Sequence, residues 1–192
     1  MQGEHEAALS QYIKRLQKQD LVAGLNVEIR KNGCYTVFNR GFFLIFEEDP
    51  MTSEELKATI RKMNEDSWHK RNLDEVYRLY ADEIIFHRPP FPPVVSKKEN
   101  RESDEVMLSA FTETRSLIHE LVVEGHTVIA HWTWKGTHTG TLPTLGIPAT
   151  GKQVSFSGCT IYHFREGKIT EQWEYGDLLG FMQQLGTIPA PG

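Results

Sequence analysis

From Met51 onward the sequence predicts an α+β domain in which helices come first and a long antiparallel sheet follows. Three observations carry this. Apolar residues recur at helical spacing up to Thr114, period-two alternation takes over from Leu117 to Tyr175, and turns at Glu124-Gly125 and Glu166-Gly167 fold the alternating stretches into hairpins. Helices that precede such a meander cover one face of its sheet.

The first fifty residues read differently and set the domain boundary. Leu9, Tyr12, Ile13 and Leu16 lie at helical spacing, and Asn32-Gly33 between Val27-Glu28-Ile29 and Tyr35-Thr36-Val37-Phe38 signals a hairpin. The segment ends on Glu47-Glu48-Asp49-Pro50. Thr52 or Ser53 then offers an N-cap, with Glu54 and Glu55 in the first turn. The expected division is an extension over 1–50 and a domain over 51–192, with Met51 as a candidate natural start.

Within the domain the spacing predicts a helix from Ser53 to about Arg71 and a second from Leu73 to Tyr80. A short strand, Ile84 to His87, runs into the proline-rich loop His87 to Pro93. A third helix covers about Glu102 to Thr114. Four strands follow, over about Leu117 to Val123, Thr127 to His138, Gln153 to Phe164 and Lys168 to Tyr175. A last helix spans Leu178 to Leu185.

Composition excludes several classes of function. The 192 residues are 39% hydrophobic and 24% charged with a net charge of -5, and no Lys/Arg-rich run offsets that balance, so nucleic acid is not an expected partner. Cys34 and Cys159 show no metal or disulfide spacing, which favours reduced thiols and the cytoplasm. The start lacks the apolar core of a signal peptide, and the run Phe42 to Phe46 is too short to span a bilayer, so no membrane role is expected.

Alternation assigns the faces of the strands. Val128, Ala130, Trp132, Trp134, Gly136 and His138 share the inner face of one strand, and Val154, Phe156, Thr160, Tyr162 and Phe164 that of the next. An unbroken hairpin at Glu166-Gly167 would put Glu171 opposite Tyr162 and send Ile169, Glu171, Trp173, Tyr175 and Asp177 inward. The expected pocket is therefore walled by Trp132, Trp134, Tyr162, Trp173 and Tyr175, with Trp68 and His87 beside them. His138, Glu171 and Asp177 supply its polar groups. A carboxylate among aromatic walls has its charged form disfavoured, which moves its pKa toward that of a useful general base. Each polar residue has a plainer reading as well. Asp177 is placed to cap the last helix, Glu171 to be held by the Tyr162 hydroxyl or an indole N–H, and His138 to be a hydrogen-bonded structural histidine.

Other motifs fail on mechanism. Gly146-Ile147-Pro148-Ala149-Thr150-Gly151-Lys152 has phosphate-loop spacing, but Gln153 replaces the magnesium-binding hydroxyl and a strand follows where a helix is needed. The eight histidines include no pair four apart, and no metal or cofactor is expected. No GxSxG elbow is present, and Cys159 has no evident base.

Taken in order, Trp134-Lys135-Gly136-Thr137-His138-Thr139-Gly140, Leu145-Gly146-Ile147-Pro148-Ala149-Thr150-Gly151-Lys152, Gly167-Lys168-Ile169-Thr170-Glu171-Gln172-Trp173, Asp177 and Gln183-Gln184-Leu185-Gly186 form an ordered set. From Met51 to about Gly186 this set resembles the SnoaL-like polyketide cyclases. The resemblance implies the nuclear-transport-factor-like, cystatin-like fold, in which a bent sheet and its helices form a cone around a cavity. It implies an intramolecular aldol reaction on a small hydrophobic carbonyl compound, with neither metal nor cofactor, in the lyase or isomerase class. Asp177 matches the family's acid/base, with Glu171 or His138 orienting it or polarising the carbonyl. His163 matches an assisting histidine by spacing, although alternation turns it outward unless a bulge intervenes. The resemblance also implies a homodimer paired through the exposed sheet face, where Thr133, Ser155, Ser157 and Ile161 lie. The rival is a non-catalytic module of the same fold that binds a small molecule or a protein.

Overall fold

The structure is a computed structural model that describes residues 26–29, 35–39, 42–46 and 51–189. The chain divides into two compact units, Met1–Pro50 and Met51–Gly192. In the first, β1 (Asn26–Ile29), β2 (Tyr35–Asn39) and β3 (Phe42–Phe46) form an antiparallel sheet in that order. The hairpin read from the sequence pairs Val27 with Val37 and Ile29 with Tyr35. Its Asn32-Gly33 turn and the helix read around Leu9 to Leu16 lie outside the described residues.

The second unit opens with α1 (Ser53–Trp68), started by a capping box in which the Thr52 hydroxyl accepts from the Glu55 amide and the Glu55 carboxylate accepts from the Thr52 amide. Leu56, Ile60 and Met63 are buried along one stripe, at the spacing that a helix needs to face a sheet. The next helix, α2 (Leu73–Tyr77), ends three residues earlier than its sequence suggests. Tyr80 instead opens β4 (Tyr80–His87), where it pairs with Ile169. Sheet pairing overrides a helical pattern that is too short to hold its own.

Helix α3 (Lys97–Ala110) is also displaced from its expected range. Capped by Ser96, it begins at Lys97, five residues before Glu102, and stops short of Thr114 because Phe111 and Thr112 join the sheet opposite His138 and Thr137. From there the chain is a meander of β5 (Phe111–Glu124), β6 (Thr127–His138), β7 (Gln153–Arg165) and β8 (Lys168–Gly176), closed by α4 (Leu178–Leu185). The sheet order is β4-β8-β7-β6-β5, antiparallel except that β4 runs parallel to β8, so the sheet is mixed at that edge. Among the described residues no helix is long and apolar enough to cross a membrane.

The faces of β6 and β7 follow the alternation. Val128, Ala130, Trp134, His138, Val154, Thr160, Tyr162 and Phe164 are buried. Strand β8 departs from it after one residue. Phe164 pairs with Ile169, but His163 pairs with Glu171, so Thr170 is the extra residue of a bulge. Side chains beyond the bulge therefore exchange faces. Gln172 faces Tyr162 and Glu174 faces Thr160, while Glu171, Trp173 and Tyr175 go to the other side. The inward face expected for Glu171, Trp173 and Tyr175 is corrected by that single residue.

Candidate active site

The inner face of the sheet, one end of α1, the side of α3, the start of α4 and the loop from Arg88 to Phe91 line an open cavity of about 260 Å³. Its apolar wall includes Trp68, Trp132, Trp134, Phe156 and Phe181. The rings meet edge to face, with centroids 5.6 Å apart for Trp68 and Trp134, 5.6 Å for Trp132 and Phe156, and 5.0 Å for Phe156 and Phe181. Such contacts add stability beyond area burial and leave the walls little freedom to collapse into the space. Trp132 is fixed further by its indole N–H, which donates to the Thr160 hydroxyl at 2.8 Å. Gly158 makes room for that ring: a Cβ there would meet the Tyr175 carbonyl oxygen at 2.3 Å and the indole at 2.6 Å.

Three charged residues meet on one side of the same cavity. Arg88 follows β4, Asp104 lies on α3 and Glu174 on β8. The Arg88 guanidinium donates to Asp104 at 3.2 Å through Nη2 and lies 3.6 Å from Glu174 Oε2 through Nε. Burial opposes the Arg88 charge, but Glu174 and Asp104 outweigh it and hold the guanidinium's pKa above its ordinary value. Burial likewise pushes the Asp104 carboxyl up; Arg88 and the hydrogen bond from Tyr77 pull the other way, and nearby Glu174 adds to the rise. The Tyr162 phenol, also on the wall, is pushed well up by burial and stays a neutral donor.

Behind these residues the hydrogen bonds form a directed set. Tyr77 donates to Asp104 Oδ2 at 2.8 Å, and Tyr80 donates to Gln172 Oε1 at 2.7 Å. That bond turns the Gln172 amide nitrogen toward Glu174 Oε2, 3.4 Å away. Both anchors of Glu174 therefore engage Oε2. Among the described residues Oε1 has no hydrogen-bond partner.

The structure brings together only part of the site expected from sequence. Trp68, Trp132, Trp134 and Tyr162 line the cavity. His87, Glu171 and Trp173 form a separate cluster: the His87 and Trp173 rings stack 3.6 Å apart, and Glu171 Oε1 lies 3.0 Å from His87 Nε2 and 3.2 Å from the Trp173 indole nitrogen. Tyr175 continues that stack and is exposed. None of these four lines the cavity. Asp177 sits between two residues that do, Gly176 and Leu178, but its carboxylate caps α4, accepting from the Gly180 amide at 2.8 Å. His138 is wholly buried against Phe111 with Nδ1 3.0 Å from the Thr150 hydroxyl. His163 remains outside the cavity wall, 3.1 Å from the Thr127 hydroxyl.

The sequence pattern does not assign Arg88, Asp104 or Glu174 to the expected pocket. Asp104 had a readable signal, since it shares a helical stripe with Met107, Leu108 and Phe111, where an acid is out of place unless it has a partner. Among the described residues no group of three or more His, Cys, Asp or Glu side chains is arranged to hold a metal ion.

Comparison with known proteins agrees with the architecture. A sequence profile of the SnoaL-like polyketide cyclases matches residues 58–185. Among curated proteins there is no match. Solved structures of the same fold include AclR from Streptomyces galilaeus, described as a candidate hydroxylase, at TM-score 0.67 and 23% identity over 73% of this chain and 87% of that one. A candidate SnoaL-like polyketide cyclase from Jannaschia sp. CCS1 aligns at TM-score 0.65 and 18% identity over 75% and 99%. A candidate polyketide cyclase from Acidithiobacillus ferrooxidans aligns at 0.59 and 27% over 71% and 98%. With the profile spanning most of the domain and the five-stranded mixed sheet, helices and cavity in place, the chain belongs to the SnoaL-like polyketide cyclase family.

Proposed function

We propose that this protein is an acid/base catalyst that closes a ring in, or isomerises, a small hydrophobic carbonyl compound, with Glu174 as the base. One observation carries the reading: a carboxylate, with one oxygen that has no hydrogen-bond partner among the described residues, and a guanidinium converge on a cavity with aromatic walls. The cavity is near the lower end of ligand-pocket volumes and suits a compound of one to two rings. Apolar aromatic walls lower the local dielectric and strengthen charge interactions beside them.

The chemistry follows from those groups. Glu174 Oε1 takes a proton from the carbon beside a carbonyl; the C–H bond breaks, and its electron pair moves to the carbonyl oxygen as an enolate. Arg88 and the neutral Tyr162 phenol are the donors available to that oxygen. In a cyclisation the enolate carbon attacks a second carbonyl of the same molecule, a C–C bond forms, and the protonated Glu174 returns its proton to the new alkoxide. These steps need only the chain's own residues.

Proton abstraction is testable before the natural substrate is known. With β-tetralone, a bicyclic aromatic ketone, in heavy water, the protein should accelerate exchange of the acidic C–H, read by proton NMR. The rival reading of a non-catalytic binding module predicts binding without acceleration.

A further inference from the structure

We infer that Asp104 is a positioning residue that keeps Glu174 usable as a base by sharing the Arg88 guanidinium with it. The inference rests on the proposed role of Glu174 and concerns a residue on a different element.

The geometry supports it through the count of donors. Tyr77 has one hydroxyl proton. Its oxygen already accepts from the Asn100 side-chain amide at 2.6 Å, so that proton is directed to Asp104 Oδ2. Arg88 Nη2 supplies Oδ1. Both oxygens of Asp104 thus act as acceptors, the state of an ionised carboxylate, in surroundings where burial alone favours the neutral acid. Asn100 and Tyr77 are buried, and Arg88 is held to α3 by its hydrogen bond to Asp104.

Without Asp104, the guanidinium would have Glu174 as its single counter-charge among the described residues and would close on it. A base locked in an ion pair gives up its lone pair poorly. With Asp104 present, Arg88 keeps a long 3.6 Å approach to Glu174 and retains donors for a developing enolate. The groups facing Asp104 are Tyr77 from α2, Tyr80 from β4, Arg88 from the loop after it, Tyr162 from β7 and Glu174 from β8.

Two measurements test this. The first is the carboxyl carbon NMR titration of Asp104, assigned by its loss in Asp104→Asn, in the parent and in Glu174→Gln. If the two carboxylates share one guanidinium, removing the Glu174 charge moves the Asp104 midpoint to lower pH by at least about half a unit. An unmoved midpoint overturns the inference, whatever the protein does to β-tetralone. The second uses exchange on β-tetralone. Asp104→Asn should lower kcat by at least about tenfold with KM changed less than about threefold, and move the acid limb of the rate profile to lower pH. Asp104→Glu should recover part of the rate. A loss in KM alone, or an unmoved pH limb, would mean that Asp104 only anchors α3. Absence of exchange in the parent would remove the proposed function but leave the titration result standing.

Discussion

Gln172 stands opposite Tyr162 across the β7–β8 pair, where an unbroken hairpin would have put Glu171. One extra residue, Thr170, makes the difference, and it decides which acid of this strand enters the cavity. Glu174 is delivered to the cavity wall, while Glu171 is left beside His87 and Trp173.

The first prediction compares those two acids. Glu174→Gln keeps the side chain's size while removing its ability to take a proton, so exchange on β-tetralone should fall at least about a hundredfold. Glu171→Gln should leave the rate within about threefold, because its carboxylate does not reach the cavity. Equal losses in both variants would mean that the bulge does not separate their roles.

The register explains how much could be read beforehand. The lengths of β6 and of α4 were legible because Thr127 to His138 alternates without interruption and Leu178 to Leu185 lies between an Asp cap and Gly186. The walls formed by Trp132, Trp134 and Tyr162 were legible for the same reason. Strand β8 was not. It carries acids at both 171 and 174, one for each face, so its pattern is compatible with either register and cannot reveal a bulge. Arg88 was hidden differently, in a proline-rich loop with no periodicity to give its direction. Helix α3 was shifted because its polar start, Lys97 to Arg101, carries no apolar stripe, and only the Ser96 cap marks it.

His138 gives a prediction about pH. Burial lowers its pKa below the ordinary imidazole value of 6.5, and among the described residues its Nε2 has no partner to receive a charge. The sign follows from linkage: as pH falls through 6.5, the unfolded chain takes up a proton that the folded ring resists, so stability is lost on acidification and is insensitive above that range. The slope can reach about 1.4 kcal/mol per pH unit. Urea unfolding of the parent and of His138→Asn at pH 7.5, 6.5 and 5.5 should show the parent losing more on acidification. Parallel curves would show that the folded protein accommodates the charge.

Gly158 gives a prediction about packing. Gly158→Ala would force its methyl against the Tyr175 carbonyl and the Trp132 indole, both at distances no side-chain carbon tolerates. The cost should be about 1 to 3 kcal/mol in urea unfolding, accompanied by a change in tryptophan fluorescence as the Trp132 ring is displaced. An unchanged spectrum with full stability would mean that β8 shifts at no cost.

The outer face of the sheet gives a prediction about assembly. Ile161 lies beside Trp173 there, and Ile85 and Ile129 are exposed at 40% and 38%. Together with the pairing that the family resemblance implies, this predicts a homodimer through that face. Sedimentation at micromolar concentration should give a dimer, and Ile161→Glu should shift it to monomer by burying an unpaired charge. A monomeric parent would refute the expectation.

The last prediction separates capping from catalysis at Asp177. Its carboxylate accepts from the Gly180 amide, and a Cβ at Gly180 would collide with that carboxylate at 2.1 Å, so the side chain is held tightly over the first turn of α4. Asn caps a helix about as well as Asp, so Asp177→Asn should stay within roughly 1 kcal/mol of the parent. If Glu174 is the base, this variant should also keep β-tetralone exchange within about threefold. Asp177→Ala loses the cap and should cost about 1 kcal/mol in urea unfolding, with any fall in rate following the loosening of Leu178 and Phe181 on the cavity wall. The informative outcome is a stable Asp177→Asn protein whose exchange falls a hundredfold. It would return the acid/base role to the residue that the family resemblance first indicated, and would mean that ligand binding draws this carboxylate off its helix and into the cavity.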